Sequence, residues 1–134
     1  MKQLKIGFDL DEVILFWLFF LKKNAKEVLA RLIDQGHLVK IVTARSGFML
    51  FLSTITLNIY GLGDIEIVGV GKNGYKYKEL IGFHIYVDDK VWQLIAIDGR
   101  VEKLYLFGKE SKNGFVNLSN WWEIFWEVQW ITYG

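Results

Sequence analysis

Cysteine and proline are both absent from this chain, and histidine occurs only twice. Without cysteine there can be no disulfide, no thiolate nucleophile and no thiolate metal site. Zinc would have to rely on His37, His84 and carboxylates, a poor donor set for that ion. The missing proline has no physical account in the sequence. An excess of either charge is missing too: 16 basic and 15 acidic residues leave a formal charge of +1. That balance gives no basis for stable nucleic-acid binding or for attachment to an anionic membrane. The longest apolar run, from Val13 to Leu21, falls well short of the ~20 residues that span a bilayer. It also follows three acids, the wrong flank for a signal peptide. A cytoplasmic location and no membrane association are therefore expected.

What is present is a dense hydrophobic complement, 52% of the chain, with aromatics at 16%. A chain of 134 residues fits one domain, which buries roughly two-thirds of its unfolded surface. Strand-like runs at 4–10, 38–43, 65–70, 84–87 and 101–107 alternate with helix-like stretches. The spacing of Ala25, Val28, Leu29 and Leu32 predicts a helix over 18–35 that Gly36 stops. Further helices are expected over 48–60, 75–81, 91–97 and 121–130, the last with Asn120 as N-cap and Glu123 completing a capping box. Such alternation predicts an α/β fold, a Rossmann-like three-layer sandwich on a five-stranded, mostly parallel sheet. Residues 1–134 read as a single domain with no room for a sizeable cap between the first two strands.

The chemistry-bearing residues fall where strands run out. Asp9 and Asp11 end the first strand, Thr43 and Arg45 the second, and Asp88 and Asp89 the fourth. In a parallel sheet these ends share one edge, so the six converge on one crevice. Lys72, Lys76 and Lys78 lie in the segment that leads into the fourth strand. Four clustered acids call for a divalent cation, and oxygen-only ligands suit Mg²⁺. The hydroxyl, the guanidinium and an ammonium suit phosphate oxygens. Together these point to phosphoryl transfer.

Lys5-Ile-Gly-Phe-Asp-Leu-Asp-Glu-Val-Ile14, Ile41-Val-Thr-Ala-Arg45, the lysine-bearing segment and Ile85-Tyr-Val-Asp-Asp89 resemble the four ordered motifs of the haloacid dehalogenase-like (HAD) superfamily. Its members are mostly Mg²⁺-dependent phosphatases on a Rossmann-like sheet. Leu104-Tyr-Leu-Phe-Gly108 and Asn120-Trp-Trp-Glu-Ile124 extend the similarity toward small 5′-nucleotidase or deoxyribonucleotidase-type members. The resemblance implies Asp9 as nucleophile and Asp11 as general acid and base. It implies Thr43, Arg45 and a lysine, Lys76 in preference to Lys72, as phosphate-binding groups. Mg²⁺ would be held by Asp9, Asp11 through its backbone carbonyl, and Asp88 or Asp89. A phosphorylated small molecule or a nucleotide is the implied substrate. Without a cap, the site suits a large substrate or closure by an oligomeric partner.

Two departures favour an alternative, a HAD-fold protein that binds without turning over: the missing cap and the apolar residues 14–17 directly after the first motif. A phospho-receiver domain fits less well, because its acceptor acid would follow the third strand, where Val70-Gly71 stands. His37 and His84 lie away from the C-terminal ends of strands and read as structural. Phe16, Trp17, Phe19 and Phe20 read as helix core or a hydrophobic interface. Trp121, Trp122, Trp126 and Trp130 read as core or dimer packing.

Overall fold

The computed structural model describes residues 2–72, 76–108 and 114–134. Six parallel strands form one open sheet: β1 (Lys5–Phe8), β4 (Leu38–Thr43), β5 (Glu66–Gly69), β6 (Ile85–Asp88), β7 (Lys103–Phe107) and β8 (Val116–Leu118). They lie in the order β5-β4-β1-β6-β7-β8. Counting only these six in chain order gives 3-2-1-4-5-6, the doubly wound order whose direction reverses between β1 and β6. Five strands are expected from the sequence, and the sixth, β8, is the one missed. It is three residues long and sits on the sheet's edge against β7, so it carries almost no periodic signal.

The helices are α1 (Ala25–Asp34), α2 (Gly47–Ile59), α3 (Lys76–Glu79), α4 (Val91–Ile97) and α5 (Trp121–Tyr133). Buried Ala25, Val28, Leu29 and Leu32 form the inner face of α1, and Gly36 takes the left-handed conformation just past its end. The helix does not begin at residue 18. Residues 15–21 instead make a small antiparallel hairpin, β2 (Leu15–Phe16) and β3 (Phe20–Leu21). Asn24, at φ 66°, breaks the backbone before α1, so the apolar run belongs to a turn and two short strands. At α5 the side chain of Asn120 accepts from Glu123 N at 3.0 Å, while Glu123 reaches back to Ser119 N at 2.7 Å. Tyr75, at the start of the helix expected over 75–81, lies outside the described residues.

Strand alternation splits the interior in two. Ile6, Phe8, Ile41, Val87 and Phe107 face α1 and α5 in one cluster. Val42, Tyr86 and Leu106 point the other way, into a cluster with Leu80 before β6 and Leu94 of α4. Trp121 is buried against Phe8, ring centroids 5.0 Å apart, and its indole donates to the carbonyl of Val13 at 2.8 Å. Trp126 and Trp130 are exposed, so the core reading holds for Trp121 and not for them. His37 and His84 each accept a backbone N–H at the start of β1, from Leu4 and Lys5. Both are structural, at the edge opposite the strands' C-terminal ends.

Gly7 sets the distance between β1 and the second cluster. A Cβ there would stand 2.5 Å from Leu80 Cδ2 and 3.1 Å from Tyr86 Cδ1. We expect Gly7→Ala to destabilise the protein by about 1–3 kcal/mol through overpacking. A lower urea midpoint at unchanged m-value checks it.

Candidate phosphoryl-transfer and metal site

The crevice forms where the strand order reverses. Asp9 follows β1, Asp88 ends the adjacent β6, and Asp9 N donates to Val87 O at 2.9 Å. Residues two apart on a strand share a face, so Gly7 and Asp9 lie on the side of Tyr86 and Asp88. The side chain of Lys76, the first residue of α3, enters this face and is 3% exposed. Its ammonium donates to Asp9 Oδ1 at 2.8 Å, to Asp88 Oδ2 at 3.1 Å and to the Tyr86 hydroxyl at 3.1 Å. Three donors thus meet three acceptors, and the ammonium of Lys76 is fully engaged. The Tyr86 hydroxyl in turn donates to Asp88 Oδ2 at 2.7 Å. Asp88 Oδ1 accepts from Lys90 N at 3.0 Å.

Burial disfavours every charge here, and the ionised groups hold one another in place. Asp9 is pushed well above the usual carboxylate range, first by burial and then by Asp88, against the pull of Lys76. Burial works against the Lys76 ammonium, but Asp9 and Asp88 outweigh it and hold its pKa up. Burial and then the charge of Asp88 keep Tyr86 protonated, which is what lets it donate. Asp89 is raised by burial and by Asp88, and its Oδ1 is buried with no hydrogen-bond partner among the described residues.

Asp9, Asp88 and Asp89 each present a carboxylate oxygen within 4.8 Å of the others. Three acids against one lysine leave excess negative charge, and the orphaned oxygen of Asp89 lacks a donor. Hard oxygen donors, uncompensated charge and an unpartnered lone pair all fit a divalent cation. The carboxylate of Asp11 is outside this trio. It is held by Arg45, whose Nε reaches both its oxygens at 3.1 Å and whose Nη2 reaches Oδ1.

Arg45 is buried and multiply engaged, donating also to Ser53 Oγ at 2.7 Å and to Leu18 O at 2.8 Å. Those contacts tie the hairpin, α2 and Asp11 together, so most of its donors are turned away from an incoming phosphate. Thr43 is fully buried at the end of β4, and its oxygen accepts from Arg45 N at 3.1 Å. Its hydroxyl proton remains available for another acceptor. Lys72 lies exposed in the turn beyond β5. The structure therefore brings Lys76 to Asp9 and leaves Lys72 at the surface. Sequence reasoning missed Tyr86, although its place two residues before Asp88 puts both on one face. Ser53 gave no signal at all, being one hydroxyl in an apolar helix.

No family model matches this chain, and no curated protein matches it either.

The raised pKa of Asp9 has a thermodynamic sign. The folded state holds this proton more tightly than the unfolded state, whose carboxyl titrates near 3.8. The group's contribution to stability is therefore full below pH 3.8 and lost as pH rises through the folded pKa. Asp9→Asn removes that penalty. We expect it to raise the melting temperature at neutral pH in the presence of a chelator, with the gain shrinking toward pH 3.8. Scanning calorimetry of both proteins across that range checks it.

Proposed function

We propose that this protein is a Mg²⁺-dependent phosphomonoester hydrolase that works through an aspartyl-phosphate on Asp9. The observation that carries the reading is the constellation of buried Asp9, Lys76 and Asp88 with half-buried Asp89 at the sheet's switch point. Asp9 would add to phosphorus while the ester oxygen leaves with a proton from Asp11. Asp11 would then take a proton from water as that water attacks the aspartyl-phosphate, releasing phosphate and restoring Asp9. A protonated Asp11 still offers an acceptor oxygen, so Arg45 orients the acid in either state. Thr43 would donate its hydroxyl to a phosphate oxygen. Lys76, with its three donors already used, acts on the nucleophile and Asp88: its charge opposes the mutual repulsion of two buried carboxylates.

Mg²⁺, held by Asp9, Asp88 and Asp89, would shield the nucleophile from the phosphate charge and stabilise the transferring group. A capless crevice suits a large or extended phosphorylated substrate, with nucleotides favoured. A cytoplasmic location belongs to the same proposal; among the described residues, no helix is long and apolar enough to cross a membrane.

One observation favours a second reading, a protein that binds phosphate without turnover: the carboxylate of Asp11 is clamped by Arg45. Phosphate release from a panel of nucleotides and sugar phosphates, with Mg²⁺ and with chelator, separates the two. We expect metal-dependent release that Asp9→Asn abolishes with the fold intact. Retained turnover in Asp9→Asn would overturn the covalent route.

Two further outcomes follow from the geometry. Asp89→Asn should move half-maximal activity to higher Mg²⁺, read from a metal titration, since the orphaned oxygen then loses its charge. Lys76→Ala should lower single-turnover rates by on the order of 10²–10³, and Lys72→Ala should do far less.

A further inference from the structure

Helix α2 turns a hydroxyl toward the interior. Its buried residues are Ser53 and Leu57, and burying a hydroxyl is costly unless it is hydrogen-bonded. Three hydroxyls of this helix bond back to the carbonyl one turn earlier: Ser53 to Met49 at 2.7 Å, Thr54 to Leu50 at 3.0 Å and Thr56 to Leu52 at 2.8 Å. Such a bond satisfies a hydroxyl within any helix. Ser53 does more. Its oxygen also accepts from Nη1 of Arg45 at 2.7 Å. With its proton committed to Met49, it presents its lone pairs to the guanidinium.

That contact bears on Asp11. The Asp11 side chain is partly exposed, and the hydrogen bonds to its carboxylate among the described residues all come from Arg45. The guanidinium is supported in turn by Ser53 at Nη1, by the carbonyl of Leu18 at Nη2, 2.8 Å away, and by the ring of Phe19, whose centroid lies 5.7 Å from its central carbon. Leu18 and Phe19 belong to a hairpin whose strands are two residues each. Ser53 belongs to a helix of thirteen residues, and a group held on a regular helix is placed more precisely than one held on a loop.

We infer that Ser53 is a positioning residue for the protonation of the leaving group: it fixes Arg45 and, through Arg45, the carboxyl of Asp11. The inference rests on the phosphatase reading given above. In the first step of that reaction an Asp9 oxygen bonds to phosphorus, the bond from phosphorus to the ester oxygen breaks, and that oxygen takes the Asp11 proton. An alkoxide leaves poorly without the proton, whereas a dinitrophenolate leaves without it. When the Ser53 hydroxyl is removed, Nη1 becomes a buried donor lacking its partner. The guanidinium then shifts toward another acceptor and carries Asp11 with it. A misplacement of about 1 Å costs on the order of 10²-fold in rate, and here the loss falls on esters that need the proton.

Phosphate release from benzyl phosphate and from dinitrophenyl phosphate, two aromatic esters that differ in their need for the proton, tests this with Mg²⁺ present. The value of kcat/KM reports the step in which Asp9 attacks, before the two substrates share one intermediate. We expect Ser53→Ala to lower kcat/KM by about 10–100-fold for the benzyl ester and by less than about threefold for the dinitrophenyl ester. Thr54→Ala, which loses the same kind of helical bond at an exposed position, should change neither. Ser53→Cys, close in volume but a weak acceptor, repeats the test if circular dichroism shows that alanine impairs the fold. Equal losses on both esters, or no loss on the benzyl ester, would overturn the role of Ser53, while wild-type turnover keeps the phosphatase reading standing. So would a wild type active on the dinitrophenyl ester alone. A wild type that releases phosphate from neither ester overturns the phosphatase reading and this inference with it.

Discussion

One buried ammonium organises the C-terminal edge of the sheet. Asp9 and Asp88 stand side by side at the ends of adjacent strands, and two buried carboxylates in a dry site repel each other and shed their charge. Lys76 touches both and is itself almost sealed from solvent. The arrangement depends on parts that look unrelated to it. Gly7 lacks the Cβ that would push Leu80 and Tyr86 away, and α3 delivers the lysine at its first residue. The Tyr86 hydroxyl takes the third ammonium proton and returns one of its own to Asp88. Even so, one lysine cannot neutralise Asp9, Asp88 and Asp89 together. The proposed divalent cation, held by these three acids, would offset the remainder.

A second ion pair divides the labour. Arg45 removes Asp11 from the acidic cluster and fixes it against α2 and the hairpin, so the two aspartates of the Asp-Leu-Asp segment live in different environments. Asp9 is buried, crowded by acids and paired with lysine; Asp11 is half-exposed and paired with arginine. One short segment thus hands its two carboxylates to different cations, Asp9 to Lys76 and Asp11 to Arg45. The same arginine anchors the hairpin tip through the Leu18 carbonyl.

Much of this was legible in the sequence, for reasons that differ from residue to residue. The parallel α/β layout follows from apolar runs alternating with helical spacing, and α1 shows its buried face in Ala25, Val28, Leu29 and Leu32. Asp9, Thr43 and Asp88 were visible because each stands where an apolar run stops, and the topology does the rest. The hairpin was not, because a short apolar run has no periodicity that separates strand from helix, and its turn uses Trp and Leu where glycine or asparagine would have announced it. β8 is too short to show a period. The links from Arg45 to Ser53 and to the Leu18 carbonyl were not legible, because a hydroxyl in an apolar helix and a backbone atom carry no sequence signal.

The covalent role proposed for Asp9 is open to a measurement that needs no knowledge of the natural substrate. Beryllofluoride adds to a nucleophilic carboxylate as a mimic of the acyl-phosphate, and ¹⁹F NMR distinguishes the bound form from the free one. With Mg²⁺ present, the wild-type protein should show a bound fluoride signal that disappears on chelation and is absent from Asp9→Asn. A bound signal that persists in Asp9→Asn, or its absence from the wild type at saturating Mg²⁺, would contradict a nucleophilic Asp9.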